Sequence, residues 1–318
     1  MALARLSTMT LTLITGSANP SLAESIGHLL GVTPCRRALQ RFADGELHVE
    51  IKESVRGHDV YIVQPTSRPP DEHLMELLFL ADACRRAGAA RLTAVVPYFG
   101  YARQDRRASG REAVGAGVVA TLIEAAGFSR VVAIDLHAPE IEGFFRIPVE
   151  HLSATKLLAG AIHATGNSVI VAPDLGAVKL AEHYHTHLNL PVVVIHKTRI
   201  SGSEVTLRSI IGDVKGRAPI VVDDMITTGG TIEAAVKGLL EAGCTPDVSV
   251  VATHTLFVGP AVGRLHALPI QQLIATDTVD TVAELPAHFQ VVNVAPLVAD
   301  AIGRLHRDQS LEPILAHT

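Results

Sequence analysis

The chain is poor in cysteine, carries no excess of positive charge and contains no long apolar run. Its three cysteines, Cys35, Cys84 and Cys244, form no CxxC pair and are odd in number. A disulfide framework and a cysteine-based zinc site are therefore not indicated, and a reducing compartment, the cytoplasm, is the expected location. Lys and Arg number 27 against 32 Asp and Glu, a net charge of −5. A balance this mildly acidic excludes general attraction to nucleic acid or to a membrane surface, so local basic clusters stand out. No apolar stretch approaches the ~18 residues of a membrane helix. The N-terminus pairs Arg5 with an apolar stretch over 9–14. That stretch is short, rich in threonine and runs into Gly16-Ser17-Ala18-Asn19, so a strand and turn are expected there rather than a secretion signal. Low-complexity segments and long linkers are missing too. Hydrophobic residues make up 48% and charged residues 19%, enough apolar content for a sizeable core.

What is present is a rhythm. Short β-branched runs predict strands over 11–15, 60–63, 92–97, 131–135, 168–171, 192–195, 220–222 and 249–252. Longer amphipathic stretches predict helices over 21–30, 71–87, 114–126, 154–164, 177–187, 231–242 and 295–306. Continuous Val/Ile runs indicate strands buried on both faces, with helices as crossovers. The fold class is α/β with mainly parallel sheets. The rhythm occurs twice, which predicts two similar domains, 1–148 and 149–318, with the tail packing back on the first. Polar connections at 100–113 and 196–204 stand out as candidate site loops.

The sharpest local signal is Val221-Val222-Asp223-Asp224-Met225-Ile226-Thr227-Thr228-Gly229-Gly230-Thr231. An apolar strand leads into two acids, then a hydroxyl- and glycine-rich loop that opens a helix. Glycine lets backbone approach an anion, N–H groups and threonine hydroxyls donate to phosphate oxygens, and the helix dipole favours the charge. The two carboxylates would repel a phosphate but suit sugar hydroxyls. The segment therefore predicts a sugar-phosphate cradle. It is not a Walker A loop, because the lysine and its spacing are missing.

Other stretches carry weaker signals. Arg103, Arg106, Arg107 and Arg111 crowd one loop with Gln104 and two tyrosines, just after a buried strand. Planar guanidiniums suit polyphosphate oxygens. Asp44-Gly45-Glu46 reads as a hairpin turn. Asp135-Leu136-His137 ends an apolar run, where parallel sheets bind ligands. His137 there fits a metal ligand or a base, and equally a spectator beside a capping Asp. Asp174 follows a similar run over 169–172. Lys197 and Arg199 lie in a polar loop after strand 192–195, where two cations can neutralise charge at a transferred group; an ordinary surface loop fits as well. His183, His185 and His187 crowd a helix tail, but no carboxylate or Cys completes a site, so an exposed face is expected.

Taken in order, these motifs resemble one family over nearly the whole chain. They include Arg41-Phe42-Ala43-Asp44-Gly45-Glu46, Leu74-Met75-Glu76-Leu77-Leu78, Pro97-Tyr98-Phe99-Gly100-Tyr101-Ala102-Arg103-Gln104-Asp105-Arg106, Asp135-Leu136-His137 with Gly143-Phe144-Phe145, Pro173-Asp174 and the 221–231 loop. The set is similar to the ribose-phosphate pyrophosphokinases. That resemblance implies two tandem type I phosphoribosyltransferase-like domains. It implies transfer of the diphosphoryl group of ATP to the C1 hydroxyl of ribose 5-phosphate, giving AMP. It implies ATP contacts from Phe42, Asp44, Gly45, Glu46, Arg103, Gln104, Asp105 and His137. Ribose 5-phosphate contacts would come from Arg199, Asp223, Asp224, Thr227, Thr228, Gly229, Gly230 and Thr231. Lys197 would be the catalytic cation, with Arg199 beside it, and His137 and Asp174 would help hold Mg²⁺. The 44–46 loop would reach a neighbouring subunit's adenine site, which implies a homo-oligomer, a dimer at least and commonly a hexamer. The intact Lys197, Arg199, His137 and Asp223-Asp224 argue against a non-catalytic subunit of this fold. The Arg103-Gln104 loop, His137 and the second α/β half argue against a salvage phosphoribosyltransferase.

Some positions depart from the family pattern. Thr227 stands where many members have Asp, Glu140 and Glu142 replace glutamines, and the stretch after Arg111-Glu112 lacks the usual Pro and Lys. Glu312 occupies a tail position that is often serine. Tail residues help form the anion site of the phosphate-activated, ADP-inhibited members, so weakened or absent phosphate activation and ADP allostery are expected.

Overall fold

The computed structural model describes residues 9–199, 205–280 and 288–316, with backbone only for 197–199 and 205–208. Along the chain the elements are β1 (Leu11–Thr15), α1 (Pro20–Leu30), β2 (Arg37–Arg41), β3 (Leu47–Ile51), β4 (Asp59–Val63), α2 (Pro70–Arg86), β5 (Arg91–Val96), α3 (Gly115–Ala125), β6 (Arg130–Ile134) and β7 (Val149–Leu152). There follow α4 (Thr155–Ala161), β8 (Ser168–Ala172), α5 (Val178–Leu188), β9 (Val192–Arg199), β10 (Val205–Ile211), β11 (Ala218–Ile226), α6 (Gly230–Glu241), β12 (Val248–Thr255), α7 (Ala261–His266), β13 (Ile270–Thr276), β14 (Phe289–Val292) and α8 (Ala295–His306). None of these helices is long and apolar enough to cross a membrane.

Two compact units form. The first holds residues up to Ser153 together with Ala295 onward; the second runs from Ala154 to Val294. The sequence placed the division at 148. It falls later because β7 pairs with β6 and completes the first sheet. The C-terminal segment joins the first unit: Leu315 bridges Leu152, and the Ala316 amide donates to the His151 carbonyl at 2.8 Å.

The first sheet has five parallel strands in the order β1-β4-β5-β6-β7. β4 is buried along its whole length, as its run from Val60 to Val63 requires. Ile62, Leu77, Val96, Ile123 and Ile141 belong to one core cluster between sheet and helices. β2 and β3 stand apart as a two-stranded antiparallel hairpin. The second sheet has the order β10-β9-β8-β11-β12-β13-β14 and is parallel except for β10. Its core gathers Val171, Val221, Leu239, Val250 and Leu273.

Local chemistry sets the helix ends. Asn19 caps α1 by accepting the Leu22 amide at 3.1 Å, and Pro20 opens the helix. Asn189 closes α5 in the left-handed conformation. His183, His185 and His187 are exposed on α5, as expected, while Tyr184 is buried beneath them. Among the described residues no group of three or more His, Cys, Asp or Glu side chains is arranged to hold a metal ion by itself.

The extent of β9 also differs from expectation. The stretch 196–199, read as loop, continues β9, because Val205, Thr206 and Leu207 on β10 supply antiparallel partners for Arg199, Thr198 and Lys197. Residues 200–204, the rest of that predicted loop, lie outside the described residues.

At the foot of the first sheet, Asp59 is 1% exposed and accepts from four groups. Arg91 donates through Nη2 at 2.7 Å and Nε at 3.0 Å, Tyr61 Oη lies at 3.1 Å, and His306 Nδ1 at 2.8 Å. Burial beside this carboxylate pushes the Tyr61 hydroxyl well up. The contact pins the end of α8 to the start of β4. Removing one partner of a buried ion pair leaves the other uncompensated. Asp59→Ala should therefore cost about 3 kcal/mol, read as a lower urea midpoint for the full chain, with a smaller loss for Asp59→Asn. An unchanged midpoint would refute this account of how α8 is held.

Candidate functional site

Residues that carry chemistry stand where parallel strands end. In the first unit, β5 ends at Val96 and the chain turns through Pro97 to the exposed Arg103 and Gln104. That turn has a fixed shape. Thr66, just past β4, donates its amide to Tyr98 O at 2.9 Å, and its Oγ1 accepts the Gly100 amide at 2.6 Å. A Cβ at Gly100 would lie 2.3 Å from Thr66 O. Tyr101 follows with a positive φ of 63°. The Gln104 amide donates to Tyr101 O at 2.8 Å, and its carbonyl accepts Ala116 N at the start of α3. Asp105 is half-buried, and Arg106, Arg107 and Arg111 are exposed. Glu112 folds the loop by accepting the Ala108 and Ser109 amides at 2.7 and 3.0 Å, bonds that hold its carboxyl below the usual range.

Next along the sheet, β6 ends at Ile134, and Asp135 takes a positive φ of 39°. Such non-glycine backbone is uncommon and concentrates at functional sites. His137, two residues on, is exposed. The neighbouring Leu136 amide donates to His151 Nε2 at 2.8 Å, and His151 Nδ1 lies 3.0 Å from Glu142. Neither His151 nor the partner role of Glu142 was legible from the sequence. Both stand in ordinary-looking polar positions, and only strand pairing brings them together.

The β2–β3 hairpin places Phe42, Asp44, Gly45 and Glu46 at its exposed tip, as the Asp-Gly signal predicts. Phe42 is 56% exposed and packs its ring on His48 at 5.4 Å. Asp44 accepts the Glu46 amide at 3.1 Å, and Arg41 braces the tip by donating to Gly45 O at 2.8 Å and pairing with Glu72.

In the second unit, β11 runs through Ile226, longer than the 220–222 stretch expected, because β12 pairs with it as far as Thr255. Asp223 and Asp224 therefore lie on strand, not on loop. β8 ends one residue before Pro173-Asp174, and Val171 is in register with Val221, so Asp174 comes up beside the acidic pair. Burial, then the Asp224 and Asp174 carboxylates, push the Asp223 carboxyl well above its usual range. Asp223 Oδ1 also accepts the Asp224 amide at 3.0 Å. Asp174 accepts the Gly176 and Ala177 amides at 2.9 and 3.2 Å.

Beyond the acids, Thr227 and Thr228 lead to Gly229, which has φ +74° and sits at the N-cap of α6, followed by Gly230 and Thr231 on its first turn. The loop is pinned from outside. Arg264 on α7 donates to Thr228 O at 3.1 Å and pairs with Glu233 of α6 at 3.2 Å, while Lys237 bonds the same glutamate at 2.8 Å. Arg264 was missed from the sequence, because α7 is six residues long and carries no motif. Lys197 and Arg199 lie on the backbone of β9, and their side chains are outside the described residues. Phe42 through His137 thus belong to the first unit, and Asp174, Lys197, Arg199 and 223–231 to the second.

Both halves of the chain match known protein families. Residues 11–127 match the model for the N-terminal domain of ribose phosphate pyrophosphokinase, and residues 146–268 match that of a phosphoribosyl transferase domain. The chain is 45% identical over 305 residues to the ribose-phosphate pyrophosphokinase of Gloeobacter violaceus, covering 95% of this chain and 92% of the relative. It is 41% identical over 298 residues to that of Bacillus subtilis, covering 93% and 94%. Among solved structures, phosphoribosylpyrophosphate synthetase from Mycobacterium smegmatis superposes with a TM-score of 0.89 at 40% identity, over 94% of this chain and 99% of that one.

The Thr66–Gly100 contact yields a direct test. Gly100→Ala forces a methyl into a backbone carbonyl, so it should destabilise by about 2 kcal/mol or more, within the range for overpacking. Urea unfolding of the full chain reads this, and an unchanged midpoint would mean the turn is not held as described.

Proposed function

The chain belongs to the ribose-phosphate pyrophosphokinase family, and from that premise we propose that it transfers the diphosphoryl group of ATP to the C1 hydroxyl of ribose 5-phosphate, giving 5-phosphoribosyl 1-pyrophosphate and AMP. The observation that carries the reading is the acidic pair on β11 standing directly before a glycine loop at the N-terminus of α6. Amides and hydroxyls of Thr227 to Thr231 receive the 5-phosphate, where helix N–H groups and dipole favour an anion. Asp223 and Asp224 accept from the ribose hydroxyls.

The first unit receives ATP. Arg103 bonds phosphate oxygens, Gln104 and Asp105 lie beside it, and His137 faces the nucleotide from the end of β6. The hairpin tip, with Phe42 and Asp44 to Glu46, reaches the adenine site of a second copy. A homo-oligomer follows, with a dimer as the minimum and a hexamer as the common larger form. The cytoplasm, where these substrates occur, is the proposed location, with neither nucleic acid nor membrane as a partner.

In the reaction the C1 oxygen attacks the β-phosphorus in line, the bond from that phosphorus to the α,β-bridging oxygen breaks, and AMP leaves. The hydroxyl proton passes to solvent, since no strong protein base is assigned to it. Lys197 and Arg199 offset the charge that develops on the transferred group. Catalysis is positioning plus electrostatics.

Mg²⁺ is the cofactor this reading calls for. The residues suit it: Asp174 adds a carboxylate to a crowded acidic pair, and His137 is accessible. Mg²⁺ needs only one or two protein ligands when phosphates and waters complete its shell. When bound it would neutralise phosphate oxygens; His137 and Asp174 would hold it.

Phosphate activation is weak in this reading. Ser310 and Glu312 line a cavity of about 540 Å³ in the first unit, together with Asp59, Glu150 and Asp308. Its two arginines are already engaged, Arg91 by Asp59 and Arg130 by Glu150. Such a lining repels an anion.

Purified protein incubated with ATP, ribose 5-phosphate and Mg²⁺ should form AMP only when the sugar is present. Lys197→Ala should lower kcat by roughly 10²–10³-fold, the range for loss of one transition-state donor. Asp224→Asn should raise KM for ribose 5-phosphate about tenfold or more, as loss of a charged hydrogen bond does, and leave KM for ATP nearly unchanged. No AMP at any metal concentration would overturn the assignment. In the same assay the rate should stay nearly flat across a phosphate titration. A strong, saturable rise would show that the anion site is intact.

A further inference from the structure

His151, on β7, is buried, its side chain 5% exposed, and no step above uses it. Its two ring nitrogens have different jobs. Nε2 lies 2.8 Å from the Leu136 amide, which can only donate. Nε2 therefore accepts and carries no proton. Nδ1 carries the proton of the neutral ring and lies 3.0 Å from Glu142 Oε1, which accepts it. The two contacts together select one tautomer, because the bond at one nitrogen decides the state of the other.

The partner amide is what gives this arrangement meaning. Leu136 is the middle residue of Asp135-Leu136-His137. Asp135 holds a φ of +39°, a conformation that persists only when the surroundings impose it. Two bonds to β7 impose it here: the Asp135 amide donates to Leu152 O at 3.0 Å, and the Leu136 amide to His151 Nε2. Glu142 comes from the 3₁₀ turn Pro139–Phe144, which follows directly after this segment. The chain thus leaves β6, makes the strained turn, and returns a carboxylate to orient the ring that holds the turn. An apolar side chain at 151 would fill the space but could not accept the Leu136 amide.

We propose that His151, oriented by Glu142, is a positioning residue that fixes the Asp135–His137 turn and so sets where His137 stands for the nucleotide. This rests on the reading of His137 given above.

Two measurements on the full chain decide it. With ¹⁵N-labelled histidine, multiple-bond ¹H–¹⁵N correlation at neutral pH should show His151, identified by its loss in His151→Gln, as the neutral Nδ1–H tautomer. An Nε2–H tautomer would overturn the proposal. In steady-state kinetics, His151→Phe should lower kcat about 10–100-fold, the range for residues that orient a functional ligand. KM for ribose 5-phosphate should stay unchanged, because its loop belongs to the second unit. His151→Gln, whose Oε1 can still accept the Leu136 amide, should recover most of the rate. Glu142→Leu should lower kcat in the same pattern, and it carries the test if His151→Phe does not fold. Wild-type kcat in His151→Phe or Glu142→Leu, or no rescue by Gln, would overturn the proposal. If the unsubstituted chain makes no AMP, the assigned reaction fails, while the tautomer still decides how the turn is held.

Discussion

Burial of both faces of the parallel strands is the constraint on which the rest of this structure depends. A strand covered by helices on each side favours apolar side chains along its length, as Val169 to Ala172 of β8 show. Polar chemistry is then confined to the strand ends and the loops that follow. At the carboxyl ends stand Thr66, Tyr98, Asp135, Asp174 and the Asp223-Asp224 pair. At the opposite end of the first sheet, Asp59 begins β4 as a buried carboxylate whose partners are structural. One rule thus separates residues that can meet a ligand from residues that hold the fold.

Loops at strand ends gain freedom and lose definition, and this chain restores definition by one repeated device. A side chain from a different element bonds a backbone group inside the loop. Thr66 Oγ1 takes the Gly100 amide, His151 takes the Leu136 amide, and Arg264 gives to the Thr228 carbonyl. Beside two of these groups the backbone is unusual, since Tyr101 and Asp135 have positive φ; Gly229, beside the third, has positive φ as glycine readily does. Strained backbone needs an external partner to stay populated. That is why these anchors lie far away in sequence from the motifs they serve.

The same distance explains what could be read from the sequence. Strand cores such as Val60–Ile62 and Val169–Val171 announce themselves by composition, and the alternation with helices sets the α/β class. The Asp223-Asp224 and Gly229-Gly230 motif is contiguous, so its chemistry is visible in one line. Strand extents were less legible. β9 and β11 run beyond their apolar cores because neighbours supply hydrogen-bond partners to polar residues, as Thr206 and Leu207 do for Thr198 and Lys197. β7 is only four residues with Glu150 and His151 among them, so its apolar signal is weak and the unit boundary was placed before it. The anchors Thr66, His151 and Arg264 left no local signal, since each is defined by a partner 15 to 36 residues away.

Charge completes the division of labour. The first unit offers an arginine-bearing loop after β5, and the second gathers three carboxylates at the ends of β8 and β11. Cations attract polyphosphate, and Glu112 in the same loop is engaged by the Ala108 and Ser109 amides. Carboxylates attract hydroxyls, but crowded and buried together they disfavour one another's charge, as the raised Asp223 carboxyl indicates. The glycine loop of α6 resolves the remaining conflict. In the proposed reading it would bind phosphate through N–H groups, hydroxyls and the helix dipole, without a cation that the adjacent acids would capture. Arg264, whose guanidinium reaches that loop, is tied to Glu233 and to a carbonyl, so it shapes the loop rather than charging it.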